Sequence, residues 1–134
     1  MSMGYGGYAD LFESDDTLSI YKYCCFNINA ENYEHYMNLK DGEIYIERDS
    51  FVEPEIHEKN KKTAVGKKHI VKRIKRDVPF ESMLNTGKIS VKNASGTWRM
   101  TEFGTDIMAM KLVRMIFDEY QETGIIPIHV TCYV

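Results

Sequence analysis

The sequence predicts an α+β fold as a single domain over residues 1–134. The predicted sheet is mixed or mostly antiparallel, with about five or six strands, and one long helix of the C-terminal half packs on it beside short peripheral helices. Three observations predict this. Short segments rich in β-branched and aromatic residues alternate with turn signals. One long amphipathic segment has helical spacing. The 134 residues are 43% hydrophobic and 28% charged, which suits one globular domain.

The first part of the chain is predicted to hold two strands and a short helix. Residues 1–14 interleave glycines with tyrosines and are interpreted as an irregular lead-in. Residues 17–26 are rich in β-branched and aromatic residues and predict a strand. Asn29 is a suitable cap for a short helix. Residues 43–48 alternate apolar with charged side chains, as a half-buried strand does.

The middle of the chain is predicted to hold a short helix and a charged strand. Pro54 suits the first turn of a helix, and the acidic residues near it precede lysines, which is the order that a helix dipole favours. A helix is therefore predicted over 54–62, ending before Gly66. Residues 68–76 predict a strand, with a helix as the alternative. As a strand they carry charge on both faces and should lie at a sheet edge, because such a strand cannot be buried.

A second short helix and a hairpin are predicted to follow. Pro79 opens the helix and Gly87 ends it. Residues 88–92 alternate in polarity and predict a strand. Residues 97–101 are expected to be its hairpin partner.

The clearest predicted element is a helix over about 105–123. Thr105 suits its N-cap, and Gly124 suits the position after its last turn. Residues 125–134 predict a C-terminal strand. The apolar face of the helix is expected to pack on the sheet and consists of Ala109, Leu112, Val113, Ile116 and Tyr120.

Charge is strongly segregated along the chain. Residues 59–76 contain nine of the 17 basic residues and no acidic residue, whereas residues 1–58 contain thirteen acidic residues and three basic ones. The net charge of −3 therefore hides an acidic block followed by a basic block. Such blocks bear on which partners a surface attracts, and they do not define a reaction.

The first functional hypothesis is a non-catalytic protein-binding module, such as an inhibitor or immunity protein that binds another, basic protein. An acidic surface speeds association with a basic partner. Tyrosine is enriched at interfaces, and methionine adapts to a partner's shape. The predicted contact residues are Tyr5, Tyr8, Asp10, Glu13, Asp15, Asp16, Met108 and Met115. The alternative for the two methionines is that the N-terminal segment folds over them.

The second hypothesis is nucleic-acid binding through the basic segment 59–76. Two observations weigh against it: no Phe, Tyr or Trp between Val52 and Pro79 offers a stacking platform, and the acidic block could neutralise the basic one across a sheet. The predicted contact residues are Lys67, Lys68, Lys72, Arg73, Lys75 and Arg76.

A small metal-dependent enzyme ranks third. Glu53, Glu55 and His57 would share one face only if their segment were a strand, and the predicted helix spreads them apart. The sequence therefore predicts no metal site, no cofactor and no catalytic residue.

Composition also bears on location. Cys24, Cys25 and Cys132 are interpreted as buried free thiols, because two are adjacent and the count is odd. The N-terminus does not resemble a secretory signal, and no apolar run approaches the ~20 residues of a membrane-spanning helix. A cytoplasmic protein that does not enter a membrane is expected, and a homo-oligomer is compatible with the sequence.

Overall fold

The computed structural model describes residues 4–133, and it confirms the α+β fold class. Five strands form an antiparallel sheet in the order β6-β3-β2-β1-β7, and two further strands, β4 and β5, form a separate two-stranded sheet. The strands are β1 Tyr5–Ser14, β2 Leu18–Asn27, β3 Gly42–Glu47, β4 Glu55–Thr63, β5 Gly66–Ile74, β6 Ile89–Lys92 and β7 His129–Tyr133. The helices are α1 Tyr33–Met37, α2 Phe80–Asn85 and α3 Ile107–Thr123, with a 3-10 turn at Arg48–Ser50.

The core lies between one face of the five-stranded sheet and α3. Alternate residues of β2 and β3, such as Tyr21, Tyr23 and Ile44, are fully buried against the helix. The predicted apolar face of the helix is confirmed: Ala109, Leu112, Val113 and Ile116 are buried, and Tyr120 packs at its edge.

The prediction of an irregular lead-in over residues 1–14 is wrong for its described part, because residues 5–14 form β1 between β2 and β7. The glycines that suggested irregularity are required by close packing. A Cβ on Gly7 would lie 2.7 Å from Met108 Cγ and 2.5 Å from the Cys24 carbonyl oxygen. The bare backbone thus lets α3 approach the sheet.

The prediction of a helix over 54–62 is also wrong, because residues 55–63 form β4 and pair with β5. An isolated helix of about nine residues is marginal in water. Pairing with β5 satisfies the same backbone groups without requiring an apolar face. The charged strand predicted over 68–76 is confirmed as β5, and it pairs with β4 instead of joining the edge of the main sheet.

The segment before α3 differs from the predicted hairpin. Residues 97–101 form no strand, and only an isolated bridge joins Met100 to Asp106. Asp106 replaces Thr105 as the N-cap, since its carboxylate accepts a hydrogen bond of 3.0 Å from Met108 N. Gly124 ends the helix at φ 75°, as predicted.

Within residues 4–133, no helix combines the length and the apolar character that crossing a bilayer would require.

Candidate nucleic-acid interface

Strands β4 and β5 form a two-stranded antiparallel ribbon over residues 55–74, here called the ribbon. Every residue of both strands is exposed. The turn that joins them contains Val65, whose side chain is 98% exposed, and Gly66 at φ 130°. No part of the ribbon belongs to the hydrophobic core, so its sequence is free to serve another purpose.

The register places basic side chains on both faces of the ribbon. Residues directly opposite each other in an antiparallel pair point to the same face. The first face carries Lys59, Lys61, Lys68 and Lys72. The second face carries Lys62, Lys67 and Arg73. The ribbon therefore presents positive charge in two opposite directions.

Lysines face each other near the tip. Lys61 lies opposite Lys68, and Lys62 lies opposite Lys67. Like charges directly opposite on a strand pair destabilise it, and a two-stranded hairpin is only marginally stable alone. The arrangement costs the folded ribbon stability, and an anion between the side chains would recover it.

The ribbon lysines have no acidic partners in the described structure. Among residues 4–133, the lysine nitrogens of the ribbon lie more than 4 Å from every carboxylate oxygen. Within the ribbon, the carboxylate of Glu55 is hydrogen-bonded to His57, at 2.8 Å from Oε1 to Nε2. Two acids of the acidic block, Glu55 and Glu58, lie on the ribbon, opposite Ile74 and Val71. The acids of the main sheet do not neutralise the ribbon across strands, because the ribbon is a separate sheet.

The base of the ribbon is fixed to the end of α3. The buried Gln121 accepts a hydrogen bond from Arg76 N at 2.6 Å and donates one to Arg76 O at 2.9 Å. Lys75 forms an ion pair of 2.7 Å with Glu122, whose hydrogen bond raises the lysine pKa. The Arg73 guanidinium lies beside Gly124, near the negative end of the helix dipole. Lys75 and Arg76 therefore anchor the ribbon.

The structure accordingly divides the predicted nucleic-acid residues. Lys67, Lys68 and Lys72 lie on the exposed ribbon, Arg73 lies at its base, and Lys75 and Arg76 lie beyond its last residue. The contact residues proposed from sequence omitted Lys59, Lys61 and Lys62, because their segment was assigned to a helix. The repeated Lys-Lys pairs on either side of Thr-Ala-Val-Gly are the signal that could have revealed a hairpin.

The predicted protein-binding residues do not form one surface. Tyr5 is buried against the Trp98 ring, at 4.5 Å between centroids. Met108 is 1% exposed under β1, so the N-terminal segment does cover it, whereas Met115 is exposed. The proposed partner contacts of Tyr5 and Met108 are therefore corrected. Tyr8 is half-buried, and its hydroxyl donates to the Met37 carbonyl.

Of the predicted acidic residues, three stay exposed at the turn between β1 and β2: Glu13, Asp15 and Asp16. Asp10 instead bonds to Lys40 and His129 on the outer face of the sheet. Its partial burial raises the Asp10 pKa, but these two hydrogen bonds outweigh that effect and lower the pKa overall.

His129 also bonds to Thr131, at 2.8 Å from Nε2 to Oγ1. A hydroxyl, an imidazole and a carboxylate thus follow one another from Thr131 to Asp10, which sequence reasoning did not reveal. Catalytic sites hold such groups away from water. This hydrogen-bonded row of side chains lies on an exposed sheet face, where water competes for each hydrogen bond. We infer that its role is to hold β7 against β1.

The strand conformation of β4 brings Glu55 and His57 together on one face, while Glu53 bonds to the Tyr120 hydroxyl instead. Among residues 4–133, no group of three or more potential metal ligands converges.

No protein-family model, curated protein or solved structure matches this chain.

Proposed function

We propose that the protein binds nucleic acid through the ribbon. The observation that supports this most is that two pairs of lysines face each other at the tip, one pair on each face, exposed and without a carboxylate partner among residues 4–133. Phosphates spaced along a nucleic-acid backbone supply the anions that these opposed cations lack. The protein has a net charge of −3, but its basic residues are concentrated in one segment. The ribbon is therefore a local positive region on an acidic protein.

A polyanion explains the ribbon better than a role in folding. The charged side chains contribute nothing to the core, and their mutual repulsion opposes pairing of the strands. Lysines on edge strands also prevent aggregation, but that role does not require lysines to face each other across a strand pair. Here both faces of both strands are charged, which suits a ligand that surrounds the ribbon.

The test compares two double variants in fluorescence anisotropy with labelled DNA and RNA. Lys61→Gln/Lys68→Gln removes one facing pair, and Lys88→Gln/Arg99→Gln removes two exposed charges outside the ribbon. The wild type and the second variant should bind with similar affinity. The first should bind at least about tenfold more weakly. Its slope of log K against log salt should be less negative than the wild-type slope by about 1.8. Equal weakening by both variants would mean that only overall charge matters, and the proposal would fail.

Protein binding remains a second candidate, favoured by the turn between β1 and β2. Glu13, Asp15 and Asp16 are exposed there, and the exposed Asp49 and half-exposed Glu47 lie beside them. Phe12, 62% exposed, adds an apolar side chain to this acidic surface. Such a surface suits a basic protein partner in the cytoplasm, where the three free cysteines also fit.

The acidic residues of this turn are not equivalent. Asp15 accepts hydrogen bonds from Thr17 N at 2.8 Å and Leu18 N at 2.9 Å, so it shapes the turn. Glu13→Lys/Asp16→Lys avoids that role. The variant should slow association with basic candidate proteins and flatten its salt dependence, measured by surface plasmon resonance at two ionic strengths. An unchanged association rate would exclude the turn as the contact surface.

A further inference from the structure

We propose that the ligand of the ribbon is double-stranded DNA and that the ribbon lies in its major groove. This inference rests on the proposed nucleic-acid function and names the form of the ligand. Three features of the ribbon support it: its dimensions, the distribution of charge between its faces, and the composition of its side chains.

The dimensions of the ribbon fit the major groove of B-form DNA. Two paired strands lie about 4.8 Å apart, and nine residues at about 3.4 Å each give a length of about 30 Å. The major groove is about 12 Å wide and admits a two-stranded ribbon, whereas the minor groove is about 6 Å wide. The major groove of duplex RNA is too deep and narrow for side chains to enter.

The charge distribution fits a groove with two phosphate walls. Four basic residues lie on one face of the ribbon and three on the other. A ribbon that stands in a groove turns its two faces toward opposite walls, so both sets can reach phosphates. If all seven did so, log K would fall with log salt at a slope of about −6.

The composition argues against a single-stranded ligand. Proteins that bind single strands stack the bases on aromatic side chains along a basic groove. Residues 55–74 contain no Phe, Tyr or Trp. The ring of His69 is hydrogen-bonded to the Asn60 side chain, at 2.8 Å from Nδ1 to Oδ1. At the tip, the exposed Val65 offers an apolar contact of the kind that recognises a thymine methyl group at the floor of the major groove.

The experiment measures binding of the intact 134-residue chain to three labelled probes of one sequence: a DNA duplex of about twenty base pairs, its single strand, and the matching RNA duplex. The DNA duplex should bind at least about tenfold more tightly than either other probe. Saturating an AT-rich duplex with the minor-groove ligand netropsin should leave this binding unchanged. Lys61→Gln/Lys68→Gln should weaken duplex binding, with circular dichroism confirming that the variant is folded.

The outcomes separate the two proposals. If the single strand or the RNA duplex binds as tightly as the DNA duplex and binding still depends on Lys61 and Lys68, nucleic-acid binding stands and duplex DNA is excluded as the preferred ligand. If netropsin displaces the protein, the assignment to the major groove is wrong. If no probe binds in a manner that depends on these lysines, the proposed function itself fails.

Discussion

At the scale of single residues, Asp106 shows how one polar side chain positions a whole element. Its carboxylate is 1% exposed, caps α3, and accepts a hydrogen bond of 2.9 Å from the Tyr23 hydroxyl. The same hydroxyl accepts a hydrogen bond of 2.9 Å from Ala94 N. This network ties the helix, the sheet and the preceding loop together. Burial raises the Asp106 pKa in spite of these hydrogen bonds.

We therefore expect Asp106 to make stability depend on pH. Because its pKa is higher in the folded state, its contribution to stability is complete below the unfolded pKa, about 3.9, and is lost as pH rises through the folded value. Asp106→Asn keeps an N-cap side chain but cannot ionise. Urea unfolding at several pH values between 4 and 7 should show the wild type losing stability relative to the variant as pH rises.

A second test uses the part of the stability difference between wild type and Asp106→Asn that does not change with pH. The amide NH2 of Asn cannot accept the hydrogen bond that the Tyr23 hydroxyl donates to Oδ2, so the variant should be less stable by about 1–2 kcal/mol even at low pH. The exposed Asp49→Asn variant should show no such offset. Parallel stability curves for wild type and Asp106→Asn across this pH range would show that Asp106 does not ionise with a raised pKa.

At the scale of elements, a strand or helix could be predicted when its hydrophobic pattern lies within its own sequence. Strands β2, β3 and β6 and helix α3 carry their alternation or helical period within their own sequence, and all four were predicted. Strand β1 was missed because its glycines look like loop residues. Close contacts explain two of them: Gly6 lies against Cys132 and Tyr133, and Gly7 lies against Met108 and the Cys24 carbonyl. These contacts join residues far apart in sequence.

Strand β4 was misassigned for a related reason. The order of its charges favours a helix locally, and its strand conformation depends on pairing with β5. The same error hid half of the candidate site. Lys67 and Lys68 were predicted as contacts, but the lysines opposite them on β4, Lys62 and Lys61, became visible only once the register was known. The charge on both faces of residues 68–76 indicated that this strand is not buried, but it did not distinguish a separate ribbon from the edge of the main sheet.

At the scale of the whole molecule, stability and the candidate function are carried by different parts of the chain. The buried core consists of residues from the five-stranded sheet, the helices and their connections, and none lies in residues 55–74. The ribbon has seven basic and two acidic residues, so the rest of the chain carries a net charge of −8. The net charge of −3 thus combines a positive ribbon with a strongly acidic body.

This division predicts that the body folds without the ribbon. Glu55 and Ile74 lie directly opposite each other, about 5 Å apart, so a Gly-Ser pair can replace residues 56–73 and keep the Gln121 contacts to Arg76. Because the deleted residues are exposed, we expect the free energy of unfolding to change by less than about 1 kcal/mol. Urea unfolding would measure it, and anisotropy should show that DNA binding is lost. A deletion variant that unfolds, or that still binds DNA at low salt, would contradict the separation of the stabilising core from the binding ribbon.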